Sequence, residues 1–228
     1  MCGRMALTLP PDAMAQLFAA APSNDLPEVP NFNICPTDDV PIVISDAAGA
    51  RKLRSMRWGF IPRWYKQPSG GPLLINARAE TLAEKPAFRT AARTRRGVVV
   101  ATGFYEWTKD AEGGRDPWYI TRNDAAPLAF AAVWQDWRGQ DGEIQMTCAI
   151  VTTGANTPMQ AIHHRMPVIL AQKDWPLWLG EQGKGAATLM SPAQDDLLGW
   201  HRVSRTVNSN RASGAALIEP MSQDGDGA

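Results

Sequence analysis

Cys2 is the residue of this chain with the most distinctive chemistry. The sequence opens Met1-Cys2-Gly3-Arg4, and an initiator methionine is commonly removed when the residue after it is small. Cys2 then carries a free α-amine and a thiol on adjacent carbons. The unperturbed pKa is about 7.7–8.0 for such an amine and about 8.5 for the thiol, so a useful fraction of the amine is nucleophilic near neutral pH. A 1,2-aminothiol has a characteristic reaction with aldehydes. The amine forms a Schiff base, the thiolate closes on it, and a five-membered thiazolidine results. Three other strings place polar groups in unusual surroundings. Asn76 directly follows the apolar triplet Leu73-Leu74-Ile75. Glu106 ends an apolar run that begins at Val98 and stands between Tyr105 and Trp107. Partial desolvation would raise its pKa toward the range useful for general acid–base chemistry, although strand alternation equally permits an outward-facing residue. His163 and His164 are two of the three histidines and precede Arg165. A histidine there can move a proton or contact phosphate, or it can simply bind carbonyls at a helix end. Adjacent histidines do not readily share one ion, so no metal and no cofactor are expected.

These residues need strands to hold them. Val40–Ser45 and Leu53–Trp58 read as strands around an Asp46–Ala50 turn, Leu73–Ile75 as a buried strand, and Gly97–Trp107 as one strong strand. An Asp110–Gly114 turn makes a hairpin with Trp118–Arg122. Leu128–Trp134 and Ile144–Thr152 continue the antiparallel pattern, with His201–Val207 as a last strand. A short amphipathic helix is expected to start near Pro11, and 22–36 reads as a long ordered loop. Residues 80–95 read as helical with a break near Pro86. Short helices are expected near Asn156–Ile162, Gln172–Leu179 and Pro192–Leu198. Strands joined by hairpins, without regular βαβ alternation, predict one α+β domain. It would have a curved, mainly antiparallel, barrel-like sheet and short flanking helices, spanning 1–220, with a frayed tail at 221–228.

Bulk properties narrow the function classes. The chain has 228 residues, of which 44% are hydrophobic and nine are Trp, enough for a sizeable core. The three cysteines, Cys2, Cys35 and Cys148, include no C-x-x-C pair. This excludes a zinc ribbon or thioredoxin motif and argues against a disulfide framework. No run is apolar for long enough to cross a bilayer, and AMAQLFAAA at 13–21 is interrupted by Gln16. The expected protein is soluble, cytoplasmic and monomeric. Net charge is zero, which alone argues weakly against a nucleic-acid partner. Residues 51–96, however, hold twelve basic residues against Glu80 and Glu84. That block is either an anion-binding surface or a solvated helix face.

Taken together, the strings resemble the signature blocks of the SOS-response-associated peptidase (SRAP) family. Met1-Cys2-Gly3-Arg4, Asn76–Thr81, Gly103–Trp107 and Ile162–Pro167 carry the resemblance. Phe32-Asn33-Ile34-Cys35-Pro36, Trp58–Trp64 and Val203–Asn208 extend it, in order, over nearly the whole chain. His164 stands where Asp is commoner, and the loop at 69–71 is slightly long. The resemblance implies covalent shielding of abasic sites in single-stranded DNA through Cys2, with Met1 removed autocatalytically or by an aminopeptidase. It implies that His163 helps open the sugar ring, that Glu106 shuttles protons and that Asn76 holds Cys2 and the sugar. It further implies that Arg4, Arg78 and Arg165 contact phosphates, that Trp64 and Tyr65 stack on bases, and that Asn33 and Pro36 line the pocket.

Other classes remain open at this level. An N-terminal-nucleophile glutamine amidotransferase also begins Met-Cys-Gly, but Arg4 replaces the usual apolar, Gly-rich continuation. A thiol peptidase using Cys2 and His163 would need no free amine. A non-catalytic single-strand DNA module would bind intact and abasic strands alike.

Overall fold

The computed structural model describes residues 2–221, so 222–228 of the expected tail lie outside the described residues. In chain order, the elements are β1 (Met5–Leu7), α1 (Pro11–Phe18), β2 (Ala21–Pro22), β3 (Asn31–Ile34), β4 (Asp39–Ser45) and β5 (Arg51–Trp58). Then come β6 (Asn76–Arg78), α2 (Arg89–Thr94), β7 (Arg96–Ala101), β8 (Gly103–Lys109), β9 (Arg115–Arg122) and β10 (Leu128–Arg138). The chain continues with β11 (Ile144–Gly154), β12 (Arg165–Pro167), α3 (Trp175–Leu179) and β13 (Leu198–Arg202).

The strands form two sheets. The larger has eight strands in the order β12-β11-β10-β7-β4-β5-β2, with β6 lying parallel to β11. A parallel pairing of β11 with β5, at Cys148 opposite Trp58, closes the path β11-β10-β7-β4-β5 on itself. Closure satisfies the backbone groups that an open sheet would leave at its edges. Ile42, Val99, Phe130 and Ile150 share one of its faces and belong to the main core, as do Val43 and Leu53 on the other face. The smaller sheet has the order β13-β9-β8-β1-β3 and packs Tyr105, Tyr119, Val203, Val207 and Leu217 into a second cluster. This is the expected α+β single domain with a mainly antiparallel, barrel-like core. No helix among the described residues is long and apolar enough to cross a membrane.

The helices are short and depend on packing. Pro11 starts α1, Asp12 stands in its first turn, and Ala19 ends it in the left-handed region at φ 49°. Met14 and Phe18 are its buried face, and the Phe18 ring stacks on Trp175 at 4.1 Å. α2 has six residues, too few to persist alone in water. Buried Phe88 and Ala91 anchor it.

Several sequence expectations need correction. The run expected as one strand from Gly97 to Trp107 is two strands in different sheets. Thr102 makes the crossing: its N–H donates to Ala6 O at 2.8 Å and its Oγ1 accepts from Thr8 N at 2.8 Å. Within the expected loop 22–36 lies β3, paired antiparallel with the distant β1, so no local hairpin signal announces it. Leu73–Ile75 is not a strand. Leu73 is exposed, Leu74 makes one bridge to Phe60, and the strand begins at Asn76. Pro192–Leu198 is not helical, because Asn156 Nδ2 takes the Ala193 and Gln194 carbonyls and Asn123 N–H takes that of Leu197. The last strand ends at Arg202, and Ser204 then caps a 3-10 turn at Arg205–Asn208.

Candidate active site

Cys2 is fully buried, and its carbonyl accepts a 2.9 Å hydrogen bond from Asn76 Nδ2. The parallel register that sets Asn76 beside Ile150 of β11 carries this amide to the chain's beginning. Asn76 Oδ1 is also buried and has no hydrogen-bond partner among the described residues. An unpaired buried acceptor costs roughly 1–3 kcal/mol. Burial pushes the Cys2 thiol far above its ordinary range, and the negative charge of Glu106 adds to that.

Glu106 reaches Cys2 through the smaller sheet. β1 pairs with β8 at Met5 opposite Phe104, and the Tyr105 N–H donates to Arg4 O at 3.0 Å. Continuing this antiparallel register by one residue sets Glu106 alongside the Cys2-Gly3 end. The carboxyl is almost completely buried, and burial raises its pKa against the opposing pull of nearby positive charge, Arg115 included. The aromatics beside it in sequence are not the ones on its face. Tyr105 and Trp107 flank Glu106 in sequence, but strand alternation sends their rings to the opposite face, where their centroids lie 6.4 Å apart. The aromatic on the Glu106 face is its cross-strand neighbour Trp118, whose indole N–H donates to Thr108 Oγ1 at 3.0 Å.

His163 precedes β12. The Arg165 N–H donates to its Nδ1 at 2.9 Å, and its ring stacks on His164 with centroids 4.4 Å apart. Nδ1 also lies 3.1 Å from the Arg165 carbonyl, which can only accept, so the two backbone contacts at this nitrogen suit opposite tautomers. Burial lowers the His163 pKa and the charges of His164 and Arg165 add to the effect, so the ring is neutral at pH 7. The charge of Glu106 acts on the Cys2 thiol, so these two share one electrostatic neighbourhood. Among the described residues, no group of three or more His, Cys, Asp or Glu is arranged to hold a metal ion. A concavity of about 500 Å³ beside Leu17, Arg122 and Trp175 contains none of the residues singled out from the sequence.

The residues linked to DNA by the resemblance divide into two groups. Trp64 is 59% exposed, Tyr65 lies edge-on to it with centroids 6.2 Å apart, and Arg78 is exposed. These side chains are open to a partner, and Pro36 is half-buried. Arg4 and Asn33 are instead buried within the protein. Arg4 donates to Asn33 Oδ1 at 2.5 Å, Val207 O at 2.9 Å and Asn210 Oδ1 at 2.5 Å. Asn33 Nδ2 donates to Ser209 O at 3.1 Å and Ala212 O at 2.7 Å. They tie the start of the chain to its closing segment instead of facing solvent. Arg165 is also buried, with its fork on Glu80 at 2.6 and 3.0 Å. Sequence reasoning missed Glu80, Thr152 and Asn210, the partners of these arginines. Glu80 stands in the Asn76–Thr81 string, but only the fold shows what it faces.

The basic block of 51–96 is not one free surface. Arg51 pairs with Glu181 at 2.8 Å, Arg63 and Arg95 converge on Asp136, and Arg57 donates to Gly59 O at 2.7 Å. Arg96 holds the carbonyls of Ala92, Arg93 and Trp178. Lys66, Arg78, Lys85, Arg89 and Arg93 remain exposed.

The chain is similar to the abasic site processing protein YoqW of Bacillus subtilis, with 35% identity over 96% of this chain and 99% of the relative. It is 30% identical to the abasic site processing protein YedK of Escherichia coli, covering 97% and 100% of the two chains. The abasic site processing protein HMCES of Pongo abelii is 28% identical over 97% of this chain and 76% of its own length. Among solved structures, a protein from Bacteroides thetaiotaomicron superposes with a TM-score of 0.79 at 24% identity, covering 96% and 98% of the two chains, which shows a shared fold. The sequence profile of one family matches residues 1–210, and by that match this chain belongs to the SOS response associated peptidase (SRAP) family.

Proposed function

We propose that this protein processes abasic sites in DNA, binding the damaged single strand and joining it covalently to Cys2 after Met1 is removed. The observation that carries this reading is the enclosure of Cys2 between the Asn76 amide and the Glu106 carboxyl. The names of the relatives, abasic site processing proteins, supply the substrate class.

The chemistry follows from the protonation states. An abasic deoxyribose is a cyclic hemiacetal in equilibrium with an aldehyde. His163, neutral at pH 7, takes the C1′ hydroxyl proton and hands a proton to the ring oxygen as the sugar opens, so the imidazole ends neutral as it began. The freed Cys2 amine adds to C1′ and gives a carbinolamine. Glu106, whose pKa burial raises, acts in its protonated form and gives its proton to the departing hydroxyl, so that water departs and an iminium remains. The thiol, also kept protonated, passes its proton to the Glu106 carboxylate as sulfur bonds to C1′. One thiazolidine and one water result, and Glu106 regains its starting state. A carboxyl with a raised pKa serves both proton transfers. Met1 removal, by the same site or by an aminopeptidase, precedes all of this. A peptidase role of the Cys2 site would thus act on the protein's own terminus.

Intact mass spectrometry after mixing with an abasic single-stranded oligonucleotide tests the reading. The expected species is the chain without Met1 plus the oligonucleotide minus one water. Cys2→Ala should give no heat-stable adduct, whereas Cys2→Ser should still give a borohydride-trappable one. Adduct formation at the normal rate by a variant that retains Met1 would overturn the free-amine mechanism.

A further inference from the structure

Arg165 is anchored on one side and occupied on the other. Its Nη2 donates to Thr152 O at 2.7 Å and to Thr152 Oγ1 at 3.3 Å, which fixes the guanidinium to β11. Both terminal nitrogens also donate to Glu80, Nη1 to Oε1 at 2.6 Å and Nη2 to Oε2 at 3.0 Å. The Arg165 side chain is only 9% exposed, whereas that of Glu80 is 52% exposed. One partner is therefore fixed in the fold, while the other can turn into water at little cost. Glu80 stands two residues beyond exposed Arg78. Its pKa is depressed first by the Arg165 hydrogen bonds and further by the charges of Arg165 and Arg78. It is thus an anion set between two cations.

A carboxylate and a phosphodiester offer the same two-oxygen edge to an arginine fork. A fork whose two terminal nitrogens hold one anion cannot hold a second in the same way. Two anions crowded there would also repel each other. We propose that Glu80 is an internal occupant of a phosphate site formed by Arg165 and Arg78, and that a DNA backbone phosphate must displace it to bind. This rests on the DNA reading above. Its consequence is selectivity. Glu80 weakens binding to every strand equally, so intact strands leave quickly, and only an abasic strand is retained, by the covalent bond.

The test compares Glu80→Gln, Arg165→Gln and the double variant by fluorescence anisotropy. The probe is an unmodified single-stranded oligonucleotide titrated over a range of salt, with melting temperatures recorded alongside. Glu80→Gln should tighten binding by about three- to tenfold, the range for a partly exposed bidentate ion pair removed from competition. Its log–log salt dependence should steepen by roughly 0.7, one phosphate's worth on a single strand. The tightening should vanish in the Arg165→Gln background. If the glutamine variant does not fold, Arg165→Lys, which keeps the charge but loses the fork, serves the same comparison. Unchanged or weaker binding by Glu80→Gln, with Arg165→Gln impaired, would mean that Glu80 only props Arg165, and this inference alone would fall. Full affinity in a folded Arg165→Gln would remove the phosphate role of Arg165, and the inference with it.

Discussion

At the scale of single residues, the burial of Glu106 bears on stability and on the chemistry proposed for it. A carboxyl whose folded pKa is raised adds stability below its unfolded value, about 4.3, and loses it as pH rises through the folded value. Above that value, the buried carboxylate opposes folding. Glu106→Gln should therefore melt higher than the native chain at pH 8, by roughly 2–4 °C per kcal/mol gained. The difference should disappear below about pH 4, where both side chains are neutral. The same variant should form adduct slowly, because an amide cannot pass a proton back and forth. Melting curves at the two pH values check the first claim. A lower melting point at pH 8 would show that the carboxylate is a net stabiliser there. His163 makes a different demand, since the closed sugar dominates in solution. His163→Ala should slow adduct formation by roughly 10²–10⁴-fold, the usual range for a positioned acid or base. A substrate analogue held as the open-chain aldehyde should recover much of the rate, and no recovery would move His163 out of the ring-opening step.

Among the elements, the crossing from β7 to β8 has the largest effect on the site. It takes the chain out of the barrel at Thr102 and into the sheet that carries Glu106. Gly103, the first residue after the crossing, lies against the Tyr119 ring, and an added Cβ would collide with that ring. Tyr119 is almost fully buried. Gly103→Ala should cost about 1–3 kcal/mol, the range for overpacking a filled core. The denaturation midpoint should fall without a change in slope. A midpoint equal to that of the native chain would show that β8 and β9 can separate cheaply there. The Pro and Asn of 22–36 mark irregular backbone correctly for 23–30. β3, by contrast, exists because β1 offers it an edge.

For the molecule as a whole, closing the barrel brings β6 against β11 and so joins residues far apart in sequence. Exposed Trp64, half-buried Tyr65 and exposed Arg78 belong to the chain between β5 and the end of β6. Single-strand binding through such groups should fall with salt, by roughly 0.7 in log–log slope for each phosphate neutralised. Trp64→Ala should cost about 1–3 kcal/mol if one base stacks on the indole. Anisotropy measured from low to physiological salt checks both numbers. Affinity independent of salt would exclude phosphate contacts as its source.

The sequence by itself pointed to the aminothiol chemistry proposed for Cys2, and determined the family and a fold class of hairpin-linked strands. An aminothiol is a covalent property, and alternating burial is written into each strand. It also pointed to Asn76, Glu106 and His163 as polar groups in apolar strings. Only the tertiary structure decided what each of them faces. Glu106 shares its face with Trp118, twelve residues along the chain, because cross-strand register and not adjacency sets a side chain's neighbours. Arg4 and Arg165 read alike as free cations, yet their forks lie on Asn33, Asn210 and Glu80. An arginine's role depends on which acceptors the fold brings within about 3 Å of it, and a linear sequence carries no such distance.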